Sequence, residues 1–395
     1  MSCTASSFVT RMIVAVCVLW SCAVSKDVAP PAPPESPHGI RAYTAMPATR
    51  GERTCAWFAD QREGVMYVGL AGFWSAYRRT GGDPTADLAV TAPKRIGRFD
   101  LARERWLTPL SIESASASGT WDVLAHPNGR LYFSDLFGTA GFVDPERRTT
   151  QRLPDVGPGL NELVAGPDAT VLATRYGGAH GGPGSVVVLD PDGVILAEHP
   201  LAPEPGFRVA AKSLGFDPIR RVVWVNTDLL PEPARPTAPI DAPHAAADGI
   251  RYDTRILDLA TGREQARFET PELHFLHFEP DGRGYFAWLD GARLVLRRTA
   301  PGAATGPDAG AVSVLDEAFP AGLDFVQELR PTPDGSVLAM RWSGRLHEVA
   351  PNGTVRTRAL PRLDADGLYY SAFAVGDRVC ASYCADLTIV CAPRP

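Results

Sequence analysis

The sequence predicts an all-β fold: a β-propeller of four-stranded antiparallel blades, seven of them, with an N-terminal strand completing the last blade. Three observations point there: a strand–turn–strand phrase that recurs along the chain, a last repeat that is one strand short, and the lack of any stretch with a sustained helical apolar period. Six blades, one of them irregular, is the alternative count. At 395 residues the chain exceeds what one hydrophobic core supports, about 250–300 residues, and a radial repeat escapes that limit because each blade packs only on its neighbours.

The first 25 residues read as an export signal. Arg11 precedes a 13-residue apolar run over 12–24, too short to span a bilayer core of about 30 Å as a helix. Two processing readings stay open. Leu19, Trp20 and Ser21 before Cys22 resemble a lipoprotein box with Cys22 as the lipidated residue, although Trp20 stands where a small residue is usual. Ala23, Val24 and Ser25 suit an ordinary signal peptidase. Residues 26–38 hold five prolines and read as an extended tether, leaving 39–395 as the propeller domain.

Within that domain, short apolar runs meet Pro-Asp-Gly-type turns and continue into second strands rich in Val, Leu, Tyr and Phe. Copies lie at 121–133, 161–172, 212–218, 274–282 and 327–335, with looser ones at 55–68 and 369–377. Proline presets φ and glycine tolerates positive φ, so the phrase is a hairpin with a mechanism. Third and fourth strands follow each hairpin, as in 185–200 and 344–361. The last repeat ends after three strands, and residues 40–47 resemble the missing fourth, which would close the ring and remove an exposed edge.

Four cysteines belong to the mature first and last repeats: Cys55, Cys380, Cys384 and Cys391. In an exported chain such a cluster reads as disulfides rather than metal ligands. A turn centred on Ala385 and Asp386 puts Cys380 opposite Cys391 and leaves Cys55 to pair with Cys384. Net charge is −6, so no basic face is available for phosphates and nucleic acid is excluded as a partner.

Leu131 to Asp135 after the Pro127-Asn128-Gly129 turn, and Asn161 to Asp168, resemble the gluconolactonase (regucalcin-like) propellers, and more loosely the NHL-repeat and streptogramin-lyase propellers. The likeness spans most repeats from Cys55 onward. It implies one divalent cation, calcium or magnesium, held at the channel mouth by Glu, Asn and Asp placed about eight residues before the turn glycine. At that offset this chain has Cys55, Trp121, Asn161, Ala211 or Lys212, His274, Gln327 and Tyr369. Asn161 alone matches and is the single weak metal candidate. The metal site is therefore expected to be absent, unless a realigned blade restores Asp122 or Glu162.

Strand order puts the starts of the inner strands and the longest insertions, 74–93, 177–184 and 230–250, on one face, where binding residues concentrate. The expected ligand site there comprises Trp121, Asn161, Lys212, His274 and Gln327. His274 is the candidate catalytic base, its plain counterpart being a hydrogen-bonded lining residue. Trp74, Tyr77, Arg78 and Arg79 suit a sugar or anion, or else form a solvated loop. These readings give a monomeric, exported cell-envelope propeller that binds a small polar or anionic molecule or an envelope protein and touches a membrane only through a lipid. The alternative is a gluconolactonase-like, metal-dependent hydrolase or lyase with an altered site.

Overall fold

The computed structural model describes residues 39–44, 59–70, 95–112, 120, 122–134, 140–157, 159–177, 182–231, 249–270, 273–290, 293–301, 312–318, 326–363, 368–383 and 388–395. The expected leader over 1–25 with Cys22, the expected tether over 26–38, Trp121, Cys55, Cys384 and residues 74–93 lie outside them. The strands form seven four-stranded antiparallel sheets, so the count is seven and not six. Six sheets are consecutive in sequence: β2 (Ala59–Arg62) to β5 (Arg105–Ser111), β6 (Asp122–Ala125) to β9 (Thr149–Leu153), β10 (Leu160–Ala165) to β13 (Ile195–Pro200), β14 (Phe207–Asp217) to β17 (Glu264–Glu269), β18 (Leu273–Phe278) to β21 (Val312–Ala318), and β22 (Val326–Pro331) to β25 (Val355–Ala359). The seventh holds β26 (Tyr369–Val375), β27 (Arg378–Tyr383) and β28 (Thr388–Pro393), and takes its outer strand from the N-terminus, β1 (Arg41–Thr44). Arg41 pairs with Cys391 and Thr44 with Thr388, as the short last repeat required.

The turn phrase folds the same way five times. In His126-Pro127-Asn128-Gly129-Arg130 the glycine, at φ +96°, donates its N–H to the His126 carbonyl, and the His126 N–H bonds the Arg130 carbonyl. Pro191, Pro280, Pro333 and Pro351 head identical turns. Where the glycine is missing, after Pro167, Asp168 and Ala169 adopt φ +54° and +62°, a conformation that costs an L-residue energy but keeps the hairpin closed.

The core is divided as the repeat demands. Seven buried apolar clusters each join one blade to the next: Phe133 meets Ile96, Leu163 meets Tyr132, Leu214 meets Val186, Phe286 meets Trp224, Leu329 meets Tyr285, and Tyr369 meets Met340. The seventh cluster packs Tyr43, Phe99 and Met66 on Phe373 and Ile389 and so closes the ring. Polar contacts reinforce that closure. Glu104, 8% exposed, receives the Tyr43 hydroxyl and the guanidinium groups of Arg41 and Arg378, while the Trp106 indole N–H bonds the Tyr43 carbonyl at 2.9 Å. Cys380 and Cys391 stand directly opposite on β27 and β28, their sulfurs bonded at 2.01 Å.

Candidate functional site

The first strand of each blade lines the channel, and five of these seven strands carry a β-bulge. In β14, β18 and β22 the extra residue is Lys212, His274 and Gln327, and in β10 Asn161 and Glu162 together face one partner residue. Bulges re-aim side chains and break the alternation of a strand, so residues on either side no longer follow a simple count. Four of the five sequence candidates thus fall on bulges. The fifth, Trp121, and the side chains of His274 and Gln327 lie outside the description.

Asn161 is buried, its Nδ2 donating to the Lys212 carbonyl while Oδ1 has no hydrogen-bond partner among the described residues. Lys212 Nζ lies 3.7 Å from Asp228, whose carboxylate is fully buried. Neither residue borders the channel cavity.

That cavity, of about 310 Å³, is lined by the first strands of six blades, from Ala59 and Asp60 on β2, Asp122 on β6 and Glu162 on β10 to Leu214 on β14, His277 on β18 and Arg330 on β22. Its polar wall is Asp60, Asp122, Glu162, His277 and Arg330, and its apolar wall includes Val164, Leu214, Phe216, Leu276 and Phe278. The carboxylates arise one position after the sequence candidates: Asp122 follows Trp121, Glu162 follows Asn161, and Glu328, 1% exposed behind Arg330, follows Gln327.

Each lining carboxylate is held by the next blade. Asp60 Oδ2 accepts the Ala125 N–H at 2.9 Å, Asp122 Oδ2 accepts the Leu163 N–H at 2.6 Å, and Glu162 Oε2 accepts the Leu214 N–H at 3.0 Å. Asp60 Oδ1 takes the Gln61 N–H at 2.8 Å and Arg330 at 3.3 Å, and Asp122 Oδ1 takes the Val123 N–H at 2.6 Å. Arg330 also donates to the Ala59 carbonyl at 2.7 Å and to Glu328.

Burial and mutual proximity of acids favour their neutral forms. Burial pushes the Asp122 carboxyl up to about 8 against the pull of its two amides, with Asp60 and Glu328 adding to the rise. Burial, then Asp122, holds Glu162 well above the usual carboxylate range. Burial lifts Glu328 to about 7, although Arg330 opposes it, and burial also raises Asp60. His277 is driven down to about 3 by burial and by the Arg330 guanidinium, so it is neutral near pH 7.

No three channel acids among the described residues bring ligand atoms within 4.8 Å of one another. Among the described residues, the group of three His, Cys, Asp or Glu ligand atoms that converge within 4.8 Å is Glu104, Cys380 and Cys391, where the two sulfurs are bonded to each other and Glu104 is taken by two arginines. In the channel, both oxygens of Asp122 already accept main-chain amides. The sequence offered Asp122 and Glu162 only as metal ligands that a realigned blade could restore, and it did not single out Asp60, Glu328 or Arg330. The available signal was an acid recurring seven residues before the turn, at Asp122, Glu162 and Glu328, within otherwise apolar strands.

No protein-family model matches the chain, and no curated protein sequence matches it. Among solved structures it is similar to a catalytically inactive virginiamycin B lyase of Staphylococcus aureus with quinupristin, at a TM-score of 0.58 and 9% identity, over 90% of this chain and 100% of that one. At that identity the likeness is one of propeller fold, which hosts many unrelated activities.

Proposed function

We propose that this propeller is an exported, noncatalytic binding protein whose channel cavity takes a small molecule. One observation carries the reading: the cavity of about 310 Å³ combines a wall of charged groups with a wall of apolar ones, and its carboxylates are fixed by main-chain amides of the neighbouring blade. That volume is at the low end for small-molecule pockets, about 300–1,000 Å³. Groups held in this way are preorganised, which spares a ligand the cost of ordering them. The same bonds commit Asp60 and Asp122 to the ring and so speak for binding over metal-assisted hydrolysis. The leader over residues 1–25 and the proline tether support export, with Cys22 as the lipid attachment point.

A fragment set of mixed charge, screened by thermal shift against the native protein and Ala165→Phe, tests the site. Ala165 lines the cavity near the strand ends, and a phenyl group there fills it. Fragments that raise the native melting temperature should lose their effect in the variant. Stabilisation retained in Ala165→Phe would place the ligand elsewhere. Calcium- or magnesium-dependent lactone hydrolysis that Asp122→Asn removes would replace binding by the hydrolase reading. For export, Cys22→Ser should release the protein from the membrane fraction, and an unchanged distribution would exclude the lipid.

A further inference from the structure

We propose that the channel cavity selects a compact organic ammonium, a single protonated amine on an apolar body. The inference rests on the reading of this cavity as a ligand site and names the chemistry it takes. Three carboxyl groups border the cavity, at Asp60 on β2, Asp122 on β6 and Glu162 on β10, and Glu328 on β22 stands behind them. Against them the first strands that line the cavity set one guanidinium, Arg330, and one neutral imidazole, His277. Arg330 already donates to Asp60, the Ala59 carbonyl and Glu328, so its single charge is matched by acids of the ring, and among the described residues the remaining carboxyl groups face the cavity without a cation of their own.

Glu162 supplies the docking atom. It is 6% exposed and lines the cavity, and Oε2 is fixed by the Leu214 amide. Its other oxygen, Oε1, has no hydrogen-bond partner among the described residues. A ligand ammonium donating to this oxygen forms a charge-assisted hydrogen bond, stronger than one between neutral groups. Around it Val164, Leu214, Phe216, Leu276 and Phe278 offer hydrocarbon and aromatic surface for the rest of the molecule. A cation beside these acids also favours their ionised forms, so that binding near neutral pH expels a proton from the cluster.

Calorimetry with benzylammonium, benzyl alcohol and benzoate tests this, since the three share one body and differ in charge. Benzylammonium should bind at least tenfold more tightly than the alcohol, and benzoate should not bind. Its heat at pH 7 should differ between buffers of unlike protonation enthalpy by an amount that corresponds to proton release. Glu162→Gln should weaken benzylammonium at least tenfold and leave the alcohol unchanged. If that variant does not fold, the charge ranking and the proton release of the native protein decide the matter. Benzyl alcohol or benzoate bound as tightly as benzylammonium, and displaced in Ala165→Phe, would overturn the ammonium assignment while leaving the cavity a ligand site. Failure of all three probes to bind would also overturn it, with the cavity reading then standing or falling on the fragment screen.

Discussion

The Asp122 carboxylate, on the first strand of the second blade, accepts the Leu163 N–H of the third blade at 2.6 Å while its other oxygen takes the Val123 N–H at 2.6 Å. Asp60 and Glu162 repeat the arrangement one blade before and one blade after, and Ser371 Oγ accepts the Ala59 N–H at 3.2 Å where the seventh blade meets the first. Groups that face the cavity therefore also tie blade to blade, and whatever changes their charge acts on both the ligand and the ring.

Stability should fall as pH rises from 6.5 to 8. Asp122 and Glu328 have folded values of about 8 and 7, above those of the unfolded chain, so the folded state holds protons that the unfolded state has released. Their contribution is complete below about pH 4 and is lost as pH rises through the folded values, at about 1.4 kcal/mol per pH unit for each group while it holds the extra proton. His277, driven down to about 3, acts in the opposite sense but only below about 6.5. Urea unfolding across this range checks the slope, and Asp122→Asn should flatten it. Stability that climbs between pH 6.5 and 8 would contradict the cluster.

Ring closure should depend on Glu104. It joins the turn before β5 to Arg41 and Tyr43 on β1 and to Arg378 on β27, in a site where it is 8% exposed. Removing one member of a buried charged group costs about 3–5 kcal/mol, so Glu104→Ala should lower stability by that order and Tyr43→Phe by about 1 kcal/mol. Deletion through residue 48 removes β1 altogether and should cost more than either. Melting curves of the three variants establish the order.

Cys380 and Cys391 should resist thiol reagents under denaturing, nonreducing conditions. Their replacement together by serine should cost about 2–4 kcal/mol and make stability indifferent to reductant. Reactive thiols at both positions in protein taken from its native compartment would contradict this.

Gly184→Ala should destabilise the junction of the third and fourth blades without touching the cavity. A Cβ at Gly184 would lie 2.6 Å from the Ala211 nitrogen and 3.0 Å from the Val209 carbonyl, both main-chain atoms of β14. Gly184 itself donates to that carbonyl at 3.0 Å. A loss of about 2 kcal/mol in urea unfolding is expected, with fragment binding by the folded protein unaltered.

The strands, the turns and the closing role of β1 were legible because their signals are local: proline and glycine act on their own φ, and a missing fourth strand shows as a short last repeat. The site was legible only to within one residue. Trp121, Asn161 and Gln327 were singled out, and the cavity acids are their successors Asp122 and Glu162, with Glu328 behind. At Asn161 and Gln327 the strands carry bulges, which depend on pairing with the second strand and leave no mark in residue type, whereas β6 pairs regularly from Asp122 onward. Arg330 was not foreseen either, since its role rests on contacts with Asp60 and Ala59, some 270 residues away in sequence.

The most direct test is a crystal structure of the protein soaked with the fragments that raise its melting temperature. Ligand density is expected inside the channel, bordered by Asp122, Glu162 and Leu214, with Glu162 Oε1 within hydrogen-bond distance of a donor. Density confined to the opposite end of the channel, beside Lys212 and Asp228, or to the outer edges of the blades, would contradict the assignment of function to this cavity.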